Sequence, residues 1–237
     1  MKLQLTYVFF TSLFIFFGGS ILCAQENEVK KDSTINAQPQ YYGLRVGVDL
    51  SKPIRSLIDE DYTGLEIVGD FRIKKDYYLA AELGNETRTT DLPNITNTSK
   101  GSYIKAGLNY NAYENWYGMN NLVYAGLRAG FSTFSQELDS YTIYTTDPFF
   151  GDDTRLDSRE FTGLNATWLE LKAGIEVELF ANIYLGFNVQ LKRIVTVAEP
   201  EGYANLFIPG FGNVTEERSV GVGYGYTISY LIPIFKK

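Results

Sequence analysis

Charged residues occupy alternate positions within several apolar, glycine-rich segments of this chain. Alternate positions of an extended strand share one face, so these charges could line a passage for ions or small polar solutes, or could neutralise one another in a closed interior. Six are basic and seven are acidic, and the set is therefore nearly neutral. The candidate charged network comprises Arg45, Asp49, Glu66, Asp70, Arg72, Glu82, Lys105, Arg128, Glu170, Lys172, Glu176, Glu178 and Lys192.

The residues needed for common catalytic sites are scarce. The chain has no histidine and one cysteine, which excludes histidine-based triads, histidine metal sites and histidine proton shuttles. Glu176 and Glu178 could act as an acid and a base, but within a strand we interpret them as partners of Lys172 and Lys192. The acidic clusters elsewhere lack the spacing of a calcium loop. We therefore predict a protein that is not an enzyme and has no metal ion or cofactor.

The elements that position these charges are predicted by a period of two. Eight segments alternate an apolar residue with glycine, an amide or a charge, which is typical of β-strands with one apolar and one polar face. Their length, about nine to eleven residues, suits tilted strands that cross a bilayer. The predicted strands lie at 42–50, 65–72, 77–84, 104–110, 123–131, 169–179, 183–192 and 219–234.

The connections between these strands alternate between short and long, which is the pattern of outer-membrane β-barrels. Glycines on the polar face suit a narrow lumen, and many aromatic residues lie near the short turns, where they would form an interfacial girdle. We predict an all-β fold, an eight-stranded antiparallel up-and-down transmembrane β-barrel with its apolar face outward. A secreted lipocalin-like barrel would place the apolar face inward around a ligand. The short connections are 74–76, 111–121 and 181–182, and the long ones are 51–61, 85–101, 135–163 and 196–218.

The N-terminal region is predicted to direct export. A short basic start, an apolar run at 7–17 and a small-residue exit are typical of a signal peptide at 1–24, cleaved after Ala24. Leu22 before Cys23 fits a lipoprotein signal poorly. Residues 25–40 are polar and predict a flexible periplasmic leader, and 41–237 form the barrel. The formal net charge of −7 argues against nucleic-acid binding.

Several segments resemble a known protein family. The sequences YGLRVGVDLSKPIRSLIDEDYTGLEIVG at 42–69, YLAAELG at 78–84, STFSQ at 132–136, FIPGF at 207–211 and YTISYLIPIFKK at 226–237 are similar to the uncharacterised Bacteroidota family called domain of unknown function 6048. The resemblance implies a small outer-membrane barrel of a Gram-negative envelope. It implies no activity, cofactor or catalytic residue.

These observations predict a monomeric protein of the cell outer membrane. Its expected partners are outer-membrane lipid, lipopolysaccharide and, during biogenesis, the barrel assembly machinery. This machinery would recognise the glycine and the alternating hydrophobic and aromatic positions of the last strand. We predict a structural or surface-interaction role through the long loops, since binding residues concentrate on loops held by a rigid scaffold. A narrow conduit for ions or small polar solutes and a secreted ligand-binding barrel remain alternatives.

Overall fold

A computed structural model of the chain describes residues 41–113, 121–143, 153–155, 158–202, 204–214 and 219–236. The predicted signal peptide and leader lie outside the described residues. Within that part of the chain, no helix combines the length and the apolar character needed to span a membrane.

Eight long strands, three short ones and one helix make up the described structure. In chain order they are β1 (Tyr41–Asp49), α1 (Ser51–Ile58), β2 (Tyr62–Lys74), β3 (Tyr77–Leu92), β4 (Ile95–Asn111), β5 (Leu122–Ile143), β6 (Asp153–Arg155), β7 (Arg159–Phe180), β8 (Ile183–Val197), β9 (Phe207–Ile208), β10 (Gly212–Asn213) and β11 (Val220–Lys236).

The eight long strands form a closed ring. Each pairs in antiparallel fashion with the next long strand along the chain, and β1 pairs with β11 to join the two ends. The short strand β6 extends the β5 edge, whereas β9 and β10 form a separate hairpin. This confirms the predicted eight-stranded antiparallel up-and-down barrel.

The two faces of the wall are oriented as the alternation predicts, with apolar side chains outside and charges inside. Leu83 is 54% exposed on the outer face, whereas its neighbour Glu82 is 2% exposed inside. The secreted ligand-binding alternative requires the opposite orientation. Every long strand contributes to the apolar belt, for example with Val46, Ile67, Leu83, Leu108, Leu127, Leu171, Val189 and Ile228.

The strands are longer than the sequence predicts, because two of the predicted long loops are largely strand. The predicted loop 85–101 is a continuation of β3 and β4, which stay paired as far as Leu92 and Ile95. Likewise, β5 and β7 remain paired as far as Leu138 and Arg159. Beyond the apolar belt the outer face of both hairpins becomes largely polar, so the apolar-outward alternation ends although the backbone pairing continues.

The other two predicted loops contain ordered elements. Helix α1 lies in the connection 51–61, with Pro53 in its first turn, where a missing N–H costs no helical hydrogen bond. The β9–β10 hairpin lies in the connection 196–218 and folds into the mouth of the barrel. Phe207, Ile208 and Phe211 of this segment are almost completely buried.

The predicted aromatic girdle needs a correction. Tyr77 and Tyr110 are about half exposed on the outer face and contact each other, with ring centroids 5.3 Å apart. In contrast, Tyr78 and Tyr184 are 8% and 1% exposed and point into the lumen. Both alternate with outward residues, so their position in the strand decides their orientation more than their aromatic character does.

Candidate functional site

The centre of the barrel interior is organised around the Glu82 carboxylate. Oε2 of Glu82 lies 2.6 Å from Nζ of Lys105, and Oε1 lies 2.6 Å from Nζ of Lys172 and 3.3 Å from Nε of Arg128. These residues come from β3, β4, β7 and β5, so the ion pairs cross the lumen. All four side chains are less than 5% exposed. Buried charges require such pairing, because each one has lost its hydration.

A second group of ion pairs lies toward the short-turn end. The guanidinium of Arg45 donates to Asp70, with Nη2 2.8 Å from Oδ1, and also pairs with Glu176. The same guanidinium carbon lies 5.3 Å from the ring centroids of Tyr78 and Tyr184. The two aromatic faces therefore add a cation–π contribution to the carboxylate pairs.

A third group lies toward the long-hairpin end. Nζ of Lys105 is 3.1 Å from Oε2 of Glu66 and 4.0 Å from Oε2 of Glu170. The hydroxyl of Tyr103 donates to Oε2 of Glu66 over 2.5 Å. Neither carboxylate oxygen of Glu170 has a hydrogen-bond partner among the described residues, so its ion pair with Lys105 over 4.0 Å acts without a hydrogen bond.

The predicted pairing of Glu176 and Glu178 with Lys172 and Lys192 is wrong. Among the described residues, Glu176 pairs with Arg45 and Lys172 with Glu82. Lys192 is in register with Glu170 but donates to the backbone carbonyls of Gly210 and Phe211, over 2.8 and 3.3 Å. Glu178 lies at the end of β7, where its Oε1 accepts the backbone N–H of Asn182 in the β7–β8 turn. Pairing in the lumen follows distance across the barrel, and spacing along a single strand does not determine it.

Arg72 and Asp49 also lie outside the central ion-pair cluster. Arg72 donates to the backbone carbonyl of Lys75 in the β2–β3 turn, and its guanidinium lies over the ring of Tyr42. Asp49 accepts the backbone N–H groups of Ser51 and Tyr226, over 2.8 and 3.2 Å. These two predicted network residues therefore stabilise a turn and the junction of β1, α1 and β11.

Aromatic and aliphatic side chains pack on both sides of the charged centre. Tyr78, Leu122 and Tyr124 form a buried cluster toward the short turns. Between the two ends, the cavity bounded by Arg45, Glu82 and other charged residues measures about 30 Å³, which holds on the order of one or two water molecules. The cluster toward the long hairpins contains Tyr103, Phe134, Leu164, Ala166, Trp168, Ile208 and Phe211.

The segment 207–211 closes the long-hairpin end, and we call it the plug. The ring of Phe211 meets that of Trp168 edge to face, with centroids 6.1 Å apart. Gly210 has a φ of +82°, and a Cβ at this position would lie 2.5 Å from the Tyr103 ring. Only glycine combines this conformation with such a close approach.

Glu86 holds the plug and was not among the residues predicted from the sequence. Its carboxylate accepts the backbone N–H of Gly210 over 2.7 Å and the hydroxyl of Tyr62 over 2.6 Å, and it pairs with Lys52 of α1. The signal was present, because Glu86 continues the polar face of β3 two positions beyond Gly84. The predicted strand ended at Gly84, where the outer face becomes polar.

The environment of Glu86 favours the charged carboxylate. Its outward neighbours Asn85 and Thr87 are polar, so it lies beyond the apolar belt. Burial acts to raise the pKa of Glu86, but Lys52, the Gly210 N–H and the Tyr62 hydroxyl outweigh burial and lower the pKa to about 2. The contact between α1, β3 and the plug therefore depends on ionised Glu86.

The family model described as "Domain of unknown function (DUF6048)" matches residues 5–237. The chain belongs to this family. The match confirms the family expected from the sequence segments, one of which, FIPGF at 207–211, is the plug. Among curated proteins, none is significantly similar in sequence.

The chain is also similar to a solved structure. Ail, the attachment invasion locus protein of Yersinia pestis, matches with a TM-score of 0.39 and 11% sequence identity. The similarity covers 80% of this chain and 96% of the Ail chain. Among the described residues, no group of three or more histidine, cysteine or acidic side chains is arranged to hold a metal ion.

Proposed function

We propose that the protein is a non-enzymatic outer-membrane β-barrel that acts through the long-hairpin end of the barrel. The observation that supports this most directly is the apolar belt, to which all eight long strands contribute exposed side chains. Exposed apolar patches on soluble monomers rarely exceed a few hundred Å². A belt that encircles a barrel with a charged interior matches the hydrocarbon of a membrane.

The two ends of the barrel differ in a way that supports a surface role for one of them. The turns after β2 and β7 are short, whereas the β3–β4 and β5–β7 hairpins extend beyond the belt. Hydroxyl and carboxylate groups pair across the first hairpin, with Oγ1 of Thr89 and Thr98 3.0 Å apart and Thr96 donating to Asp91. We propose that these paired hairpins face the cell exterior and offer a rigid polar surface to a partner.

The interior favours this role over transport. The ion pairs around Glu82 cross the lumen, aromatic clusters lie on both sides of them, and the central cavity measures about 30 Å³. A hydrated ion needs a continuous wider path. We therefore propose a closed monomer that is inserted by the barrel assembly machinery and surrounded by outer-membrane lipid and lipopolysaccharide.

Cell fractionation and surface labelling test this proposal. The protein should be found in the purified outer membrane, and an epitope tag inserted at Asn94, in the β3–β4 turn, should bind antibody on intact cells. A tag at Lys75, in the β2–β3 turn, should bind antibody only after the outer membrane is opened. Recovery in the soluble fraction would contradict membrane insertion, and the reverse labelling would contradict the orientation.

Conductance in planar bilayers tests whether the lumen is closed. The purified protein should give no steady current, because the ion pairs and both aromatic clusters obstruct the lumen. Reproducible ion-selective channels from the unmodified protein would support the conduit alternative instead.

A further inference from the structure

The barrel wall has a gap between β11 and β2. β1 pairs with β11 only up to the Asp49–Thr227 pair, and with β2 only up to the Val48–Ile67 pair. Beyond these pairs the chain turns away into α1. Among the described residues, no strand pairs with this side of β11 from Val220 to Tyr226.

Helix α1 fills the β2 side of the gap more than the β11 side. The backbone N–H of Gly64 in β2 donates to the Ser56 hydroxyl over 2.9 Å. On the β11 side, the contacts with the β1–α1 junction end at Tyr226, whose carbonyl accepts the Leu50 N–H and whose N–H donates to Asp49. Among the described residues, no backbone hydrogen bond reaches this side of β11 between Val220 and Tyr224.

This edge of β11 carries backbone groups that have no hydrogen-bond partner among the described residues. In a strand, the backbone N–H and C=O of alternate residues point to the same side. Since those of Tyr226 point to the β1 junction, those of Tyr224 and Val222 point into the gap. Lipid hydrocarbon cannot satisfy these groups, so an occupant of the gap in the membrane must bring polar groups of its own.

A cavity of about 360 Å³ lies beside this edge, within the volume range of small-molecule sites. Its lining includes the cations Lys52, Arg55 and Lys192 and one carboxylate, Glu86, so it carries an excess of positive charge. Lys52 is engaged by Glu86, and Lys192 by the plug carbonyls. The Arg55 side chain is 41% exposed, and its Nε lies 3.5 Å from Oδ2 of Asp59. Its guanidinium stacks on Tyr62, with the central carbon 4.2 Å from the ring centroid.

The outer margin of the cavity is apolar. Val222 is 81% exposed and Tyr224 61% exposed on the outer face of β11. Three apolar side chains of α1 are also exposed: Ile54 is 47% exposed, Leu57 87% and Ile58 80%. An occupant would therefore meet cations and backbone groups at one end and hydrocarbon surface at the other, which describes an amphiphile with an anionic head.

We propose that this wall cleft binds a phosphorylated glycolipid of the outer leaflet. The phosphate would lie at Arg55, whose planar group of donors suits phosphate oxygens. The sugar hydroxyl and amide groups would pair with the free edge at Val222 and Tyr224, and the acyl chains would cover the exposed side chains of α1. This inference rests on the proposed outer-membrane location and names one lipid that the protein recognises there.

A second copy of the chain is a less suitable occupant. Edge-to-edge pairing of two β11 strands about a two-fold axis would bring the same surface of each copy together. Each copy would then contribute its exposed Arg55 to one contact, where like charges repel. A phosphorylated lipid meets the same cations with opposite charge.

Native mass spectrometry of the folded protein in detergent tests this proposal, with bisphosphorylated lipid A and its dephosphorylated form as probes. The protein should retain the phosphorylated form about tenfold more tightly, as expected for one charge-assisted hydrogen bond. Arg55→Gln should remove most of this preference, and Arg55→Lys should restore part of it. Arg159→Gln changes an exposed arginine at the start of β7 and should behave like the unmodified protein.

Equal retention of the two lipids by the unmodified protein would overturn the proposal, whether or not the variants fold. The same loss for Arg159→Gln as for Arg55→Gln would assign the effect to overall charge and would also overturn it. Detection of a dimer that carries no lipid would also overturn the proposal. Absence of the protein from the outer membrane contradicts the proposed function, whereas an inserted barrel without phosphate preference contradicts only this inference.

Discussion

Replacing Glu82 with glutamine should destabilise the barrel strongly while preserving the shape of the side chain. Glu82 pairs with Lys105 and Lys172 over 2.6 Å and with Arg128 over 3.3 Å. In the variant, Lys105 keeps Glu66 at 3.1 Å, but Lys172 loses the only carboxylate within ion-pair distance among the described residues. Removing one partner of a buried ion pair costs about 3 to 5 kcal/mol, so we expect a loss of this size.

A second variant, at Lys172, distinguishes the loss of the Glu82–Lys172 ion pair from the effect of a substitution at either residue alone. Lys172→Met leaves Glu82 with two cations, so it should cost less, about 1.5 to 3 kcal/mol. In the double variant, the unpaired lysine is gone. Its cost should therefore fall below the sum of the two single costs by about 1 to 3 kcal/mol.

Urea unfolding in lipid vesicles, followed by tryptophan fluorescence, measures these free energies. Trp168 is 1% exposed inside the barrel and contacts Phe211, so its emission should change when the interior opens. A Glu82→Gln variant within about 1 kcal/mol of the unmodified protein would refute the central role of this carboxylate. Additive costs in the double variant would show that Glu82 and Lys172 do not interact.

Three further predictions concern the outer face, the contact of Glu86 with the plug, and the contact of Lys192 with the plug. Leu171→Arg or Val189→Arg should each lower the free energy of unfolding in vesicles by about 2 to 4 kcal/mol. Thr133→Arg, on the polar part of the outer face, should lower it by less than about 1 kcal/mol. Equal losses at the three positions would contradict an apolar belt in contact with lipid. The lowered pKa of Glu86 means that its stabilisation is complete above its usual pKa of about 4.5 and is lost as the pH falls toward 2. Glu86→Gln should therefore be less stable than the unmodified protein at pH 7 by roughly 2 to 3 kcal/mol, and this difference should vanish near pH 2. A difference that does not change with pH would show that ionised Glu86 does not hold the plug. Lys192→Met should loosen the plug and speed proteolysis of the 207–211 segment in folded protein, and an unchanged cleavage rate would show that the two carbonyl contacts do not hold it.

The sequence alone determined the architecture of the wall. Side chains of a strand alternate with a period of two, so residues such as Leu83 and Glu82 are assigned to opposite faces without knowledge of any partner. Because the lumen of eight strands is filled by side chains, the alternation also predicted that charges such as Arg128 would be buried and would need partners. The predicted strand ends were less accurate, since polar residues on both faces, as at Thr87, remove the periodic signal.

The pairing of charges and the closure of the barrel were decided only by the tertiary structure. Glu82 pairs with Lys172, ninety positions away, because the curvature of the closed sheet brings β3 and β7 face to face across the lumen, and no spacing along either strand encodes that distance. The plug depends on the same geometry, since Glu86 and Lys192 converge on Gly210 from different strands. The gap beside β11 exists because β1 ends at Asp49. The backbone groups on that edge that lack a partner among the described residues can be located only when the register of β1, β2 and β11 is known.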